Sequence, residues 1–490
     1  MLALTNFFTG NVTSVSRSAQ LTPRYLRMWE PSFYAQDDWR ITRTLTLNLG
    51  LRYDIITPVK DAHGHISNFD PSTLSLIVPG VNGGSDTAGI NTDYRSLAPR
   101  FGFAWTAHTN TVVRGGFGLV FFRDNTGPSV PFADPPFVTT YAPAAYTTKF
   151  STPLPLPVAG STTNLNGAIR GMDLNYRNSY IEQMNLVVEQ AIGDTVLSMG
   201  YVGELGRHLR LSPDLDLAPP NVAGGANPAL IQAQRPYYAA LPAVTSLPLI
   251  ISEGFSNYEA FQATAVRRLS RGLTGQAAYT YSHNISDTVG YSQGGLYTSV
   301  LPLNTAQLET GNSDFDLRHR FTLMLNYALP FGQSLTGYKK AFLGGWQFNA
   351  IDVWETGFPF SVVNSVTVSG TGGGNERPNQ LHNPNHVDHS ISRWFDTTAF
   401  QRQAFGTVGS ERRDAVYGPH YRHFDASVFK DFAFAERYKL QARIESFNLT
   451  NTPNFSAPGA TLGTSTYGVV TSTRTGSTPR QLQAALRLTF

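Results

Sequence analysis

Apolar residues recur at every second position over stretches of about ten residues, and this pattern limits the possible folds more than any other feature of the sequence. The last ten residues, QLQAALRLTF, put Leu482, Ala484, Leu486, Leu488 and Phe490 on one parity and Gln481, Gln483, Arg487 and Thr489 on the other. Successive side chains of a strand point to opposite faces, so this segment predicts a strand with one apolar and one polar face. Ordinary strands average about 5 or 6 residues, whereas about 9 to 11 cross a bilayer at a tilt.

Thirteen segments of the chain are predicted as strands on this basis. They are 31–40, 44–54, 98–105, 111–122, 180–189, 195–203, 258–269, 274–282, 318–328, 346–357, 423–432, 438–449 and 481–490. Their number and length are typical of an all-β protein.

Short and long connections alternate between these segments. Short ones such as 41–43 and 106–110 are each followed by a long one such as 55–97 or 123–179. Outer-membrane barrels have short periplasmic turns and long outer loops, whereas compact soluble domains favour connections of about 4 to 6 residues at both ends. The spacing therefore favours an antiparallel transmembrane β-barrel over a soluble β-sandwich. The long connections are rich in Pro, Gly, Thr, Asn and Ser, as in 125–166, and are predicted to be exposed and irregular.

Composition removes several other classes of protein. Charged residues make up 14% of the chain, against about 25% in soluble domains. The chain contains no run of about 18 uncharged apolar residues, which argues against a helical membrane protein. A net charge of +3 is too small and dispersed for a nucleic-acid groove, so no nucleic-acid partner is expected. With no cysteine, neither a disulfide framework nor a thiolate metal site exists.

The strand count and the first residues indicate a chain that starts part-way round a barrel. Bacterial single-chain barrels have an even number of strands, so thirteen strands leave at least one missing before Pro31. The opening MLALTNFFTGNVTSVS has no basic stretch before an apolar one and is not a secretory signal. A structure of this chain should then show two unpaired sheet edges.

Seven blocks of the sequence resemble one family in the same order, from about Pro31 to Phe490. They are SFYAQDDWRITRTLTLNLGLRYD, LAPRFGFAW, TVVRGGFGLVFF, NYEAFQATAVRRLSRGLTGQAAYTYSHNISD, DLRHRFTLMLNYALP, GGWQFNAIDVWETGFPFSV and FDASVFKDFAFAERYKLQARIESFNLTNTPNF. This ordered set resembles the C-terminal barrel of TonB-dependent, Oar-like outer-membrane proteins, in which a carboxypeptidase regulatory-like domain and a plug precede the barrel.

The resemblance implies an outer-membrane barrel of a Gram-negative bacterium, of which about 13 or 14 strands of 22 lie in this chain. Residues 1–30 would be an outer loop or the remnant of a preceding strand, and 31–490 the C-terminal part of the barrel. It also implies contact with outer-membrane lipid and recognition of the terminal Phe490 by the barrel-assembly machinery. The TonB complex would act only through a plug or energy-coupling box, neither of which is found in this chain. The ligand is unknown, and no cofactor is expected.

The DDW stretch supplies candidate residues for the barrel interior. Asp37 and Asp38 are neighbours and point to opposite faces of a strand, so they cannot converge as an acid/base pair. Trp39 is expected at the membrane interface, where amphipathic aromatics gather. If the hairpin at 41–43 is tight, four charged residues of its two strands can share the inner face and form a ladder of ion pairs in the lumen. These residues are Asp38, Arg40, Arg52 and Asp54. Arg114 takes the polar parity of its own strand.

The segment YKLQARIESFNLTN carries a second candidate set. Arg443 and Glu445 share the parity of Lys439 and Gln441. An Arg on the lipid face would cost about 2 to 4 kcal/mol at midplane, so this parity is expected to face the lumen. In the family an RxE pair followed by FNLTN recurs, here with Phe447, Asn448 and Asn451. A structural network is the first interpretation, and contact with a plug or cargo is the alternative.

Sequence motifs for metal binding or catalysis are weak. The stretch LHNPNHVDH brings His382, His386, Asp388 and His389 close in sequence, but in a long Asn- and Pro-rich loop a solvated cluster is the favoured interpretation over zinc or copper. His63 and His65 likewise give no specific signal of a metal site. The stretch SGTGGGNERPN lacks the Lys-Ser/Thr of a phosphate loop and is predicted to be flexible. GxSxG, HExxH and a cysteine nucleophile are absent, so no enzyme is predicted.

Three functions remain open from the sequence. The first is the barrel of a TonB-dependent, Oar-like transporter that takes up or translocates a bulky ligand. The second is a passive porin-like pore or a structural or adhesive barrel that displays its loops, and an upstream plug would distinguish the transporter from it. The third is a secreted β-rich hydrolase, which would be soluble without detergent.

Overall fold

One large sheet dominates the computed structural model, which describes residues 6, 8–12, 17–122, 135–141, 148–149, 151, 162, 165–221, 228–288, 307–332, 334–374, 376–434 and 438–490. Thirteen long strands cross the sheet in chain order, and each pairs antiparallel with the next. They are β1 Ser32–Arg40, β2 Leu45–Asp54, β3 Leu97–His108, β4 Thr111–Phe122, β5 Ser179–Ile192, β6 Thr195–Leu211, β7 Leu249–Ser270, β8 Leu273–Ser286, β9 His319–Ala328, β10 Trp346–Glu355, β11 Tyr421–Phe434, β12 Tyr438–Phe447 and β13 Gln481–Thr489. The short strands Gly171–Met172 and Gly311–Asn312 add to the sheet beside β7 and β8.

All thirteen predicted strands are confirmed, and β6 and β7 extend furthest beyond their predicted bounds. β6 continues to Leu211 and β7 already begins at Leu249. The pairing of these extensions shifts between Gly206 and Leu209 and again before Leu211. Such bulges interrupt the two-residue period, which is why alternation alone does not reveal the outer parts of the two strands.

The register carries one apolar and one polar face through the whole sheet. Residues directly opposite each other on neighbouring strands share a face, so the faces can be followed from strand to strand. The apolar face contains Leu47, Leu49, Phe101, Phe103, Phe117, Leu186, Met199, Phe261, Ala277, Leu323, Leu325, Phe348, Val428, Ile444 and Leu486. The polar face contains Asn48, Arg52, Arg100, Arg114, Gln183, Asn185, Ser198, Thr264, Gln276, Thr322, Asn326, Asn349, Ser427, Gln441 and Gln483.

Several aromatic and charged residues of the apolar face lie towards the strand ends. Trp39, Trp105, Tyr327 and Trp346 lie near one end of the sheet, and Tyr53, Tyr180, Phe321 and Trp354 near the other. Membrane barrels carry aromatic girdles at both interfaces in this way. The ε-ammonium of Lys430 donates to the Gly344 carbonyl at the first end, and Asp352 faces Arg422 at 3.8 Å near the second.

Short and long connections leave opposite ends of the sheet, as predicted. The short ones are 41–44, 109–110, 193–194, 271–272, 329–345 and 435–437, and the long ones are 55–96, 123–178, 212–248, 287–318, 356–420 and 448–480. In the described part of these connections lie two short α-helices, α1 Pro228–Ala233 and α2 Gly337–Leu343. Within the described ranges, no helix is long and apolar enough to cross a membrane.

The long connections are partly buried and carry short paired strands, which corrects the prediction that they are exposed and irregular throughout. They carry short paired strands, namely Asn11–Val12, Arg17–Gln20, Leu26–Arg27, Lys60–Asp61, Asn68–Asp70, Ser75–Ile77, Val138–Tyr141, Thr148–Lys149, Gly167–Ala168, Val244–Ser246, Pro359–Phe360, Val363–Asn364, Asn379–Gln380, Phe400–Gln401, Val416–Tyr417 and Thr461–Leu462. Three buried apolar clusters lie there, around Phe69, Phe395 and Ile66. Most of 125–166 lies outside the described residues.

Two strands form the edges of the sheet. Within the described part of the chain, β1 pairs only with β2 and β13 only with β12, so the sheet is open. Leu482 and Leu486 of β13 are 73% and 75% exposed. The expected pair of unpaired edges is confirmed. Both edge strands run towards the end with short turns, so a direct β1–β13 pairing would be parallel.

Candidate functional site: the polar face and the outer loops

The β1–β2 hairpin places one predicted ion pair at its outer end. Arg52 Nε lies 2.8 Å from Asp54 Oδ1. Ser32 Oγ donates to the same carboxylate oxygen at 2.5 Å and accepts from Arg52 Nη2 at 3.1 Å. Three side chains of the polar face thus bind one another at the start of the first long loop.

The other half of the predicted ladder lies at the short-turn end. Asp38 Oδ1 accepts from Asn48 Nδ2 at 2.6 Å, and Arg40 Nη2 donates to the Arg43 carbonyl at 3.4 Å. The four predicted residues therefore share one face, but their contacts form two separate clusters. Asp37 lies on the opposite face with Trp39, as the strand period requires.

Arg114 and Arg443 also lie on the polar face, with different partners. Arg114 Nη1 is 3.3 Å from Glu189 Oε1 on the neighbouring strand. Arg443 Nε donates to Gln441 Oε1 at 2.5 Å, and its guanidinium lies 4.7 Å from the centre of the Phe429 ring. Glu445 stands opposite Ser427.

The FNLTN stretch closes the turn that follows β12. Asn448 and Asn451 both have φ of 51°, a left-handed conformation that Asn tolerates better than most residues. Asn448 is buried, and its side chain accepts from the Thr452 amide at 3.0 Å and donates to the Thr478 carbonyl at 2.9 Å. Asn451 Oδ1 accepts from the Arg480 amide at 3.0 Å. Both asparagines thereby join this turn to the residues just before β13. Phe490, which follows β13 at the chain end, is 90% exposed.

A buried polar network, which sequence reasoning missed, joins two outer loops to the end of β8. Arg377 Nη1 is 3.2 Å from Glu309 Oε2, and both side chains are less than 10% exposed. Arg413 Nη2 donates to the Ser286 carbonyl at 2.8 Å. Tyr417 Oη donates to Asp316 Oδ2 at 2.8 Å. No periodic pattern marks these residues, because they come from loops far apart in the sequence.

Two carboxyl groups of this network have raised pKa values. Burial raises the pKa of Glu411 to about 8, although Val362 N–H and Arg377 act against it. Burial also raises the pKa of Asp414 to about 7, with a further contribution from the hydrogen-bonded carboxyl of Asp314. Desolvation penalises the charged form, so both groups hold protons that exposed carboxyls would have lost.

The glycine-rich stretch, predicted to be flexible, folds around a buried glutamate. Glu376 is 4% exposed. Its carboxylate accepts from the Val368 amide at 2.7 Å, the Ser369 hydroxyl at 2.5 Å and the Gln403 amide at 3.1 Å. These donors fix the loop from both sides.

The histidines of LHNPNHVDH have separate partners. His382 Nε2 lies 3.0 Å from Asp396 Oδ2, and His389 stacks on Trp394 at 4.8 Å between ring centres. Among the residues described, no three His, Cys, Asp or Glu side chains are placed to share a metal ion. His63 and His65 pack against each other at 5.8 Å, and His65 against Phe137 at 5.3 Å.

A cavity of about 250 Å³ opens on the polar face where β5 to β8 reach the outer loops. Its lining consists of Ile181, Glu204, Gly206, Ser256, Tyr258, Asn284 and Phe315. Strand pairing places Glu204, Tyr258 and Asn284 side by side on three neighbouring strands.

Comparison with protein families gives one match across nearly the whole chain. Residues 2–483 match the family described as outer membrane beta barrel domain. The chain belongs to this family. It is accordingly an antiparallel β-barrel protein of the outer membrane of Gram-negative bacteria. No curated protein matches the barrel in sequence.

Several solved structures align with this barrel at low identity. The outer membrane transporter YddB from Escherichia coli aligns at 10% identity and a TM-score of 0.47, covering 94% of this chain and 45% of that one. The pyoverdine receptor FpvA from Pseudomonas aeruginosa PAO1 aligns at 10% and 0.43, covering 95% and 43%. The FrpB iron transporter from Neisseria meningitidis aligns at 12% and 0.41, covering 94% and 46%. The chain therefore spans less than half the length of each of these structures.

Proposed function

We propose that this chain is the C-terminal part of the barrel of a TonB-dependent, Oar-like transporter that moves a bulky ligand across the outer membrane. Residues 31–490 would form the barrel wall, and 1–30 would belong to an outer loop. The pairing of Arg17–Gln20 with Val138–Tyr141, and of Leu26–Arg27 with Lys60–Asp61, supports an outer position for the first residues. Coupling to the TonB complex would need a plug or box outside this sequence.

The width of the open sheet is the observation that carries the proposal. Thirteen strands lie side by side, and the sheet has not closed. Since β1 and β13 run in the same direction, an odd number of further strands is needed to close the sheet with antiparallel pairs. Nine more would give the 22 strands typical of transporters with a plugged lumen.

The face assignments support a polar lumen. Charged residues facing lipid would cost about 2 to 4 kcal/mol for Arg at midplane, so the polar face is assigned to the interior. On this proposal Asp38, Arg40, Arg52, Asp54, Arg114, Arg443 and Glu445 border the lumen. The apolar face would contact outer-membrane lipid, and Phe490 would be read by the barrel-assembly machinery.

Planar-bilayer conductance of the protein purified from native outer membranes tests the proposal. A plugged transporter is expected to be closed in plain buffer and to conduct only while denaturant loosens the plug. Intact mass of the same preparation should exceed that of the 490-residue chain. A steady open conductance from a protein with no plug would contradict the proposal.

A passive or adhesive barrel is the second candidate. The outer loops enclose apolar clusters of their own, including fully buried Phe69 and Phe395, so they could present a rigid surface to a partner. An open conductance would favour the pore, and cell adhesion lost on deletion of the gene would favour the adhesin. Membership of a membrane-barrel family disfavours the secreted hydrolase, and we infer no enzymatic role.

A further inference from the structure

We propose that the cavity at the outer ends of β5 to β8 is a binding site for an organic cation, such as a primary ammonium or guanidinium group. The inference deepens the proposed function, since it names a chemical class for what enters the lumen, and it rests on that proposal only for the lumenal position of the polar face.

The shape of the cavity follows from one row of residues and a glycine. Glu204, Tyr258 and Asn284 face the same side on neighbouring strands, which are about 4.8 Å apart. The row therefore spans about 10 Å. In the next row, Gly206 lies between Ile181 and Ser256. A Cβ at Gly206 would stand 2.5 Å from Ser256 Oγ, so a larger residue would displace this hydroxyl and alter the lining.

The roof of the cavity is held in place by the buried network. Phe315 is 57% exposed. The next residue, Asp316, accepts hydrogen bonds from the backbone N–H of Asn284 at 2.8 Å and from Tyr417 Oη at 2.8 Å. Arg318 Nε is also 3.1 Å from Asp316. These contacts of Asp316 hold the neighbouring Phe315 at the cavity.

The cavity offers a carboxylate, on Glu204, and an unpartnered amide oxygen, on Asn284, as hydrogen-bond acceptors. Glu204 Oε1 accepts one long hydrogen bond of 3.4 Å from Gln183 Nε2. No Lys, Arg or His in the described part of the chain lies within ion-pair distance of Glu204. Arg207, close in sequence, lies on the other face, where it pairs with Glu182 at 3.9 Å and bonds Asn257. Asn284 Oδ1 is buried without a hydrogen-bond partner.

An organic cation satisfies all these groups together. It supplies N–H donors for the carboxylate and the amide oxygen, and charge-assisted hydrogen bonds are about twice as strong as neutral ones. The rings of Tyr258 and Phe315 offer faces that attract cations within about 6 Å. A calcium ion would need about six to eight oxygen ligands, more than one carboxylate and one amide provide. The small volume admits a single cationic group rather than a whole bulky ligand.

Calorimetric titration of the detergent-purified natural protein with cadaverine and agmatine tests the site. 1,5-Pentanediol serves as the neutral analogue of cadaverine. We expect saturable binding of both cations and weak or no binding of the diol. Affinity for the cations should be about tenfold lower in Glu204→Gln, because a charge-assisted hydrogen bond is replaced by a neutral one. Phe315→Leu should weaken cation binding and lower the selectivity over the diol, because the ring attracts only the charged ligand.

Glu355→Gln is the matched control. Glu355 lies on the same face near the outer end of β10 but is already paired with Arg320 at 3.1 Å, so its substitution should leave cadaverine binding unchanged. Heat-dependent migration on gels confirms that each variant is folded. Absence of saturable cation binding, equal binding of the diol, or equal losses in Glu204→Gln and Glu355→Gln would overturn the site. None of these results bears on whether the protein is plugged, which conductance decides separately.

Discussion

Single residues of the candidate site were predictable where strand parity governs them. The opposite faces of Asp37 and Asp38, and the common face of Asp38, Arg40, Arg52 and Asp54, follow from the period of two and are found in the register. Their individual partners were not predictable, because Asn48 and Ser32 carry no charge that marks them in the sequence. The lumenal role of these residues stays a prediction.

Replacement of Asn448 tests the turn that follows β12. Asn448→Ala should lose the bonds to Thr452 and Thr478 and add left-handed backbone strain. We expect about 2–4 kcal/mol lower stability, measured as the shift in denaturant midpoint of the folded barrel. Asn448→Gly removes the same bonds without the strain and should lose less. Equal stability of Asn448→Ala and the unaltered protein would show that the turn does not depend on this side chain.

The buried Glu411 predicts a pH dependence of the outer loops. Its pKa is raised from 4.5 to about 8 by burial, so the folded loop binds a proton that the unfolded loop has released. The stabilising contribution is full below about 4.5 and is lost as pH rises to about 8. The protection of backbone amides in 356–420 against hydrogen exchange, measured relative to their intrinsic exchange rates, should therefore fall across this range. Glu411→Gln should flatten the profile, and an unchanged profile in this variant would contradict the assignment.

Among the structural elements, strands were predictable and their extensions were not. Alternation located all thirteen long strands of the sheet because each carries one apolar and one polar face. The outer part of β6 escaped because the bulges after Gly206 change the parity. Helix α2 escaped because its seven residues, GYKKAFL, are too few to show a helical period.

A pair of arginine substitutions on β9 tests the assignment of the two faces. Leu325 lies on the apolar face between Gly275 and Ala350, and Met324 lies on the polar face between Gln276 and Ile351. Leu325→Arg should cost about 2–4 kcal/mol in lipid vesicles, whereas Met324→Arg should change stability little. The measurement is urea unfolding of both variants in lipid bilayers. Equal costs would mean that the faces do not differ in their surroundings.

For the whole molecule, the sequence predicted the wall, which is the sheet of thirteen long strands. It missed the outer layer, which is the packing of the long connections against one another. The wall follows from local alternation, which each strand carries by itself. The outer layer is held by residues from different loops, such as Phe69 with Leu247 and Glu309 with Arg377. Contacts of this kind leave no local period in the sequence, so the packed loops could be found only in three dimensions.

Site-directed spin labelling along β9 tests the central assignment most directly, because the chain has no cysteine and each label can be placed alone. Single cysteines from 321 to 327 would be labelled in the outer membrane, and the access of oxygen and of a water-soluble nickel complex compared at each position. We predict a period of two, with oxygen favoured at Leu323 and Leu325 and nickel at Met324 and Asn326. Uniform access, or the opposite phase, would contradict an apolar face in lipid and a polar face around an aqueous interior.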